Sequence, residues 1–257
     1  MTDTPAGPSD MPGAVLVTGG AKRIGRAISL TLARAGLDVA IHYGRDAEAA
    51  EATAAEVRDL GRKAVTLDAD LADAVATHGL IGRAAAALGP LTALVNNASV
   101  FDDDRLMTIT GDSWSRHMDV NLRAPVLLAQ TFAGLAPAGS AIVNILDQRV
   151  LKPDPRFFSY GLSKSALWTA TRTMAQALAP VIRVNGVGPG PTLASTHQTE
   201  ADFQAEAAAT PLGRAVEPEA IARAVLWLIR EPLITGQMIA VDSGQHLAWR
   251  TPDIEED

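Results

Sequence analysis

The residues of this chain best suited to acid and base chemistry lie in one stretch, VNILDQRVLKPDPRFFSYGLSK, Val143 to Lys164. Tyr160 and Lys164 are four positions apart, a spacing that puts both side chains on one face of a helix. An ammonium close to a phenol favours the phenolate, so Lys164 is expected to lower the pKa of Tyr160 from about 10 toward the working range and make it a usable acid. Asp147 ends the apolar run before them, which poses the question of what a carboxylate does beside a proton-transfer pair.

A second group of residues suits a dinucleotide. LVTGGAKRIGRAI, residues 16–28, reads strand, glycine turn, helix, the context in which backbone N–H groups and a helix N-terminus hold a diphosphate. Gly19 and Gly25 bracket the turn, and Arg23 stands where a middle glycine is often found, sending a guanidinium toward the phosphates or beyond them. At the end of the second strand an NAD site carries Asp or Glu for the ribose hydroxyls. This chain has His42 and Tyr43 there, followed by Gly44 and Arg45. Without a carboxylate at that strand end, and with Lys22, Arg23 and Arg45 nearby, NADPH is favoured over NADH. Asp70 and Leu71 follow the third strand, where an adenine could be clasped.

Short β-branched runs and alanine-rich helical stretches alternate along the chain and must position these groups. Strands are expected at 14–18, 38–43, 63–68, 92–96, 141–146, 181–187 and 238–242, and helices near 24–35, 46–60, 73–88, 112–134, 158–179 and 218–230. Strands without an exposed polar face, alternating with helices, imply an α/β fold: a single doubly wound parallel sheet of about seven strands with helices on both faces. Residues 191–211 depart from the alternation after the sixth strand and read as a lid over the strand ends. Residues 1–12 read as a disordered tail, 13–250 as the one cofactor-binding domain, and 251–257 as an acidic, solvated tail.

Composition excludes several classes. The chain has 257 residues, 47% of them apolar, which is ample for one large core. It has no cysteine, so disulfides and thiolate metal sites are out, and its five histidines lack ligand spacing, so no metal is expected. A net charge of −7 without a basic block argues against nucleic acid and anionic lipid as partners. No apolar run approaches the roughly 20 residues of a membrane span, and a cytoplasmic protein is expected.

Five motifs taken together narrow the reading. Thr18-Gly19 with Gly25, Asn96-Asn97-Ala98, Asn121, Tyr160-x-x-x-Lys164 and Pro189-Gly190 resemble, in order and spacing, the short-chain dehydrogenase/reductase family over about residues 13–245. The resemblance implies a Rossmann-type sheet, NADP(H), Tyr160 as proton donor, Lys164 on the nicotinamide ribose and the tyrosine, and Asn121 supporting a relay water. It also places Ile24, Asn97, Ala98, Ser99, Pro189, Gly190 and Thr192 with the cofactor, and suggests a homotetramer joined through the 112–134 and 158–179 helices and the C-terminal strand region. Most members have serine where this chain has Asp147, and Asn-Asn-Ala-Gly where it has Asn96-Asn97-Ala98-Ser99. With Arg23 and Phe101, these departures resemble the pteridine reductase branch. That likeness implies a pterin or folate stacked between Phe101 and the nicotinamide, contacted by Ser99 and Arg23, with Asp147 and Tyr160 delivering protons to ring nitrogens.

The chemistry agrees with that likeness. Ketone reduction places negative charge on oxygen, and two like charges about 4 Å apart repel by roughly 4 kcal/mol at an effective dielectric of 20, so an ionised Asp147 disfavours carbonyl substrates. A pterin instead offers N–H groups that a carboxylate can accept. Two alternatives compete: a carbonyl or 3-ketoacyl reductase in which Asp147 stays protonated and mimics serine, and a non-catalytic NADP(H)-binding sensor or scaffold. In the same way, Asp147 could merely cap the loop before Lys152, and Phe101 could merely pack in a core.

Overall fold

The computed structural model describes residues 13–195 and 198–249. Both expected tails, 1–12 and 251–257, lie outside the described residues. Seven strands form one parallel sheet in the order β3-β2-β1-β4-β5-β6-β7. They are β1 (Ala14–Val17), β2 (Asp38–Tyr43), β3 (Ala64–Asp68), β4 (Leu91–Asn96), β5 (Ser140–Ile145), β6 (Ile182–Pro189) and β7 (Met238–Val241). The chain turns back at β1, whose two neighbours are β2 and β4, so the carboxyl ends of β1 and β4 flank the crevice where such sheets bind ligands.

Alternate residues of each strand face opposite sides, and both sides are buried. Val15, Val17, Val39, Ile41, Val95 and Val143 face α1 (Arg23–Arg34), α2 (Ala47–Asp59) and α8 (Pro218–Arg230). Leu16, Leu94, Ile142 and Val184, successive partners across the sheet, face α3 (Ala74–Leu88), α5 (Ala124–Leu135) and α6 (Phe158–Leu178). Truncating Leu16, Leu94 or Ile142 to alanine costs about 2–5 kcal/mol. Asp46 and Asp73 cap α2 and α3 by accepting from Ala49 and from Val75 and Ala76, as their sequence positions suggest.

Two expectations need correction. The single helix over 112–134 is three pieces: α4 (Gly111–Met118), a π-helical turn at Asp119–Arg123, and α5. Pro125 has no N–H and its ring would strike the carbonyl four residues back, that of Asn121, so a regular helix cannot run through this point. The lid segment is also more ordered than expected, since it holds α7 (Glu200–Ala208). Thr199 accepts from Asp202 N while the Asp202 carboxylate accepts from Thr199 N, a reciprocal capping box visible in the sequence as Thr-Glu-Ala-Asp.

Candidate active site

The first two turns of α6 carry the tyrosine and lysine over the end of β5. A polar ladder fixes the helix against the sheet: Asn96 Nδ2 donates to Asn144 Oδ1 at 2.8 Å, and Asn144 Nδ2 donates to Thr171 Oγ1 on α6 at 2.9 Å. Tyr160 and Lys164 are then both buried on the face toward the strand ends.

Their electrostatics differ from the expectation. The Tyr160 hydroxyl donates to Asp147 Oδ2 at 2.7 Å, and Lys164 Nζ donates to the Ile145 carbonyl at 2.8 Å. Burial first, then the Asp147 carboxylate, push the Tyr160 pKa well above its ordinary value. Lys164 lies 5.7 Å from the phenol ring centroid, and burial lowers its own pKa to about 8. The lysine therefore does not make Tyr160 acidic, because burial and the carboxylate bonded to the hydroxyl both act the other way.

Asp147 caps a turn and also meets the Tyr160 hydroxyl. Its Oδ1 accepts from Arg149 N at 2.8 Å, which caps the 3-10 turn Gln148–Val150, and its Oδ2 accepts from Tyr160 and from Arg149 Nη1 at 3.3 Å. Its two oxygens thus meet three donors. Arg149 is a site residue that the sequence reading missed. Burial disfavours its charge, but Asp147, Tyr160, Glu206 and Asp154 together outweigh this and raise its pKa. The available signal was an arginine two residues beyond a candidate acid.

Phe101 lies 4.2 Å from Phe157, ring to ring and stacked, and edge-on to Tyr160 at 4.7 Å. Arg149 borders both phenylalanines, at 5.7 and 5.8 Å. Phe157 was also missed. Its left-handed backbone, φ 54° and ψ 52°, is an uncommon conformation for an aromatic residue and turns the chain into α6 with the ring toward Phe101.

Asn121, fully buried in the π turn, clamps the segment after β4. Its Oδ1 accepts from Val100 N at 2.8 Å and from Ser99 Oγ at 3.2 Å, and its Nδ2 donates to the Val100 carbonyl at 3.0 Å and to Ser163 Oγ at 3.1 Å. Asn97 Nδ2 holds the glycine turn, donating to the Thr18 and Gly19 carbonyls at 2.9 and 3.1 Å. Thr18 Oγ1 accepts from the N–H groups of Asn97 and Ala98.

Gly19 has φ +60°, and a Cβ on Gly25 would collide with the Gly19 carbonyl, so α1 can approach the strand only with glycine there. No side chain caps α1 and its first turn holds no acidic residue, which leaves its positive end open to an anion. Arg23 is also left-handed, φ 51°, and its guanidinium donates to the Leu193 and Ala194 carbonyls of the lid at 3.2 and 3.1 Å.

The residues expected along the adenosine side are arranged differently from the sequence reading. His42 is buried beneath the turn: Nδ1 accepts from Gly19 N at 3.1 Å, so the proton sits on Nε2, 3.1 Å from the Ala69 carbonyl. Burial pushes its pKa down, and it supports the loop as a neutral ring. Lys22 forms an ion pair with Asp46, so a carboxylate does stand just past the second strand, two positions beyond Gly44. Arg45 is exposed and Tyr43 packs at the core edge. Asp70 accepts from Ala72 N in its own turn, and Leu71 is buried in the core.

One cavity of about 670 Å³ gathers the rest. Arg23, Ile24, Asn97 and Ser99 line one part, and Phe101, Asp147, Arg149, Tyr160 and Lys164 another. Pro189, Gly190 and Thr192 lead into the lid. A Cβ on Gly190 would meet Asp242 Cα at 2.6 Å, and Thr192 Oγ1 donates to the Gly190 carbonyl at 2.9 Å.

A family model described as Enoyl-(Acyl carrier protein) reductase matches residues 19–246. The short-chain dehydrogenase/reductase FrzI of Cladobotryum sp. is 35% identical over 252 residues, 92% of this chain and 97% of that protein. The chain is a short-chain dehydrogenase/reductase. Among solved structures, this short-chain dehydrogenase/reductase is similar to FolM alternative dihydrofolate reductase 1 from Brucella canis complexed with NADP. The two are 48% identical with a TM-score of 0.92, over 97% of this chain and 100% of that one. The Brucella suis FolM complex with NADP is 49% identical with a TM-score of 0.91, over 95% and 99% of the two chains.

Proposed function

We propose that the protein is an NADPH-dependent reductase of a pterin or folate C=N bond. The carrying observation is the Asp147 carboxylate, which accepts from Tyr160 and Arg149 on the cavity wall. An acceptor edge of this kind suits the N–H groups of a flat heterocycle and cannot donate to a ketone oxygen as serine does. The likeness to two FolM proteins crystallised with NADP supports the same reading.

The cofactor fits the residues present. Gly19, Gly25 and the open end of α1 would take the diphosphate, with Ile24, Asn97, Ala98, Pro189, Gly190 and Thr192 along its length. Lys22 and Arg45 would face a 2′-phosphate, and Asp70 and Leu71 the adenine. When bound, the cofactor would supply a hydride to the ring carbon. Tyr160 holds the proton for the neighbouring nitrogen, and Asp147 and Lys164 orient the phenol and the ribose. Ser99, Arg23 and the Phe101 ring hold the heterocycle, and Asn121 fixes the Ser99–Val100 segment.

Loss of the Tyr160 proton would leave two anions 2.7 Å apart, a repulsion of roughly 6 kcal/mol at an effective dielectric of 20. Arg149 and Lys164 flank the pair and offset that charge until a solvent proton returns. Following NADPH oxidation against dihydropterins, dihydrofolate, simple ketones and an acetoacetyl thioester tests the proposal. Turnover confined to the ketone or thioester would refute it and favour the carbonyl or 3-ketoacyl reductase reading.

A homotetramer is part of this reading, supported by exposed Val126, Leu135 and Leu162 on α5 and α6 and by Leu247 and Trp249 after β7. Light scattering in solution tests it. Among the described residues no helix is long and apolar enough to cross a membrane, and a cytoplasmic setting is proposed on the absence of cysteine.

A further inference from the structure

We propose that Asp104, outside the cavity, is a positioning residue that sets the catalytic Tyr160 and the Phe101 ring in one geometry. The inference rests on Tyr160 being the proton donor. Asp104 lies three positions beyond Phe101 and is 3% exposed. A buried carboxylate is costly unless donors surround it, and here they do. Its Oδ1 accepts from Ser159 N at 2.9 Å, and its Oδ2 accepts from the Ser159 hydroxyl and, at 3.0 Å, from Ser113 Oγ. Its backbone carbonyl accepts from Phe158 N at 2.9 Å.

These bonds cap the catalytic helix from a distant loop. The residue before α6 is Phe157, left-handed and without a side-chain cap, so the first N–H groups of α6 have no local acceptor. Asp104 satisfies those of Phe158 and Ser159, the two residues before Tyr160, and brings negative charge to the positive end of the helix. The loop that carries Phe101 is thereby fastened to the turn that carries Phe157 and Tyr160. The hydrogen bonds outweigh burial and hold the Asp104 carboxyl below its ordinary pKa.

The network has a fixed direction that only a carboxylate completes. His117 Nε2 accepts from Asp102 N at 3.2 Å, and Nδ1 lies 2.9 Å from the Ser113 carbonyl, so the proton must be on Nδ1. Nδ1 is also 2.7 Å from Ser159 Oγ, so the Ser159 hydroxyl proton cannot point there and is directed to Asp104. An asparagine at 104 would set its NH2 group either against the Ser159 N–H or against the hydroxyl proton, leaving a buried donor facing a donor in both orientations.

The test uses Asp104→Asn and the presence of only two tyrosines, Tyr43 and Tyr160, in the chain. With tyrosine labelled at Cζ, NMR gives two resolvable signals that need no knowledge of the substrate. The expected result is a displaced Tyr160 signal, an unmoved Tyr43 signal, NADPH affinity within about twofold of wild type and kcat lower by roughly ten- to a hundredfold, the effect of misplacing a reacting group by up to about 1 Å. Ser113→Ala removes one donor from Asp104 without touching α6; it should move the Tyr160 signal in the same direction and lower kcat about threefold, which keeps the test open if Asp104→Asn does not fold. An unmoved Tyr160 signal with kcat within twofold would overturn the inference. So would a parallel loss of NADPH affinity with both tyrosine signals displaced, which indicates general loosening. If the wild type reduces no pterin, the proposed substrate fails while the tyrosine signals still decide the role of Asp104.

Discussion

Tyr160 donates to Asp147, 2.7 Å away, on the wall of the cavity. The phenol is kept neutral and the carboxyl is kept an acceptor. This reverses the simple picture of a lysine-acidified tyrosine and makes the Asp147 edge the chemical signature of the site.

Asp147→Ser keeps a cap for the turn at Gln148 but removes the carboxylate oxygen that faces Tyr160. Pterin or folate turnover should fall about a hundredfold or more, within the range usual for a positioned acid or base. Arg149→Met should lower it less, about tenfold, because the anion pair loses one flanking cation. Steady-state kinetics with a dihydropterin check both, and undiminished turnover in Asp147→Ser would refute the role given to Asp147.

Lys164 provides the pH dependence. Its folded pKa of about 8 lies below the lysine value of about 10.4 in an unfolded chain. Between these values the unfolded state holds the extra proton, so stability rises with pH through that window and the contribution is lost as pH falls through about 8. Activity should run the other way, falling above pH 8 as the ammonium is lost. Urea midpoints and kcat/KM at pH 7 and 9.5 check the signs, and Lys164→Met should abolish both trends.

Phe101→Ala should raise KM for the heterocycle about tenfold with little change in NADPH affinity, since an aromatic contact of this kind is worth about 0.5–1.5 kcal/mol beyond its buried area. An unchanged KM would mean that Phe101 serves only its stack with Phe157.

Gly25→Ala should abolish NADPH binding and destabilise the fold by about 2 kcal/mol or more, because its Cβ would collide with the Gly19 carbonyl and crowd Asn97 Nδ2 at 2.7 Å. Thermal unfolding and a fluorescence titration with NADPH read the two effects separately.

Much of this was legible from residue order. All seven strands lie within two residues of where β-branched runs place them, since a sheet covered on both faces demands mostly apolar residues along its strands. Gly19, Gly25, Tyr160 and Lys164 were legible because local geometry, a tight turn or one helix face, dictates residue type. The capping box at Thr199 and the break at Pro125 were also present in the sequence as local signals.

Tertiary structure decided what depends on partners far along the chain. Arg149 and Phe157 became site residues only when the loop before α6 folded against Phe101, and His42 left the cofactor surface because the Gly19 N–H required an acceptor beneath it. The direction of the Tyr160 pKa likewise came from burial first and then from Asp147, thirteen positions away in sequence and 2.7 Å away in space. Residue types fix which groups can ionise, but burial and the sign of the nearest charge fix their proton affinities, and both of those are properties of the packed molecule.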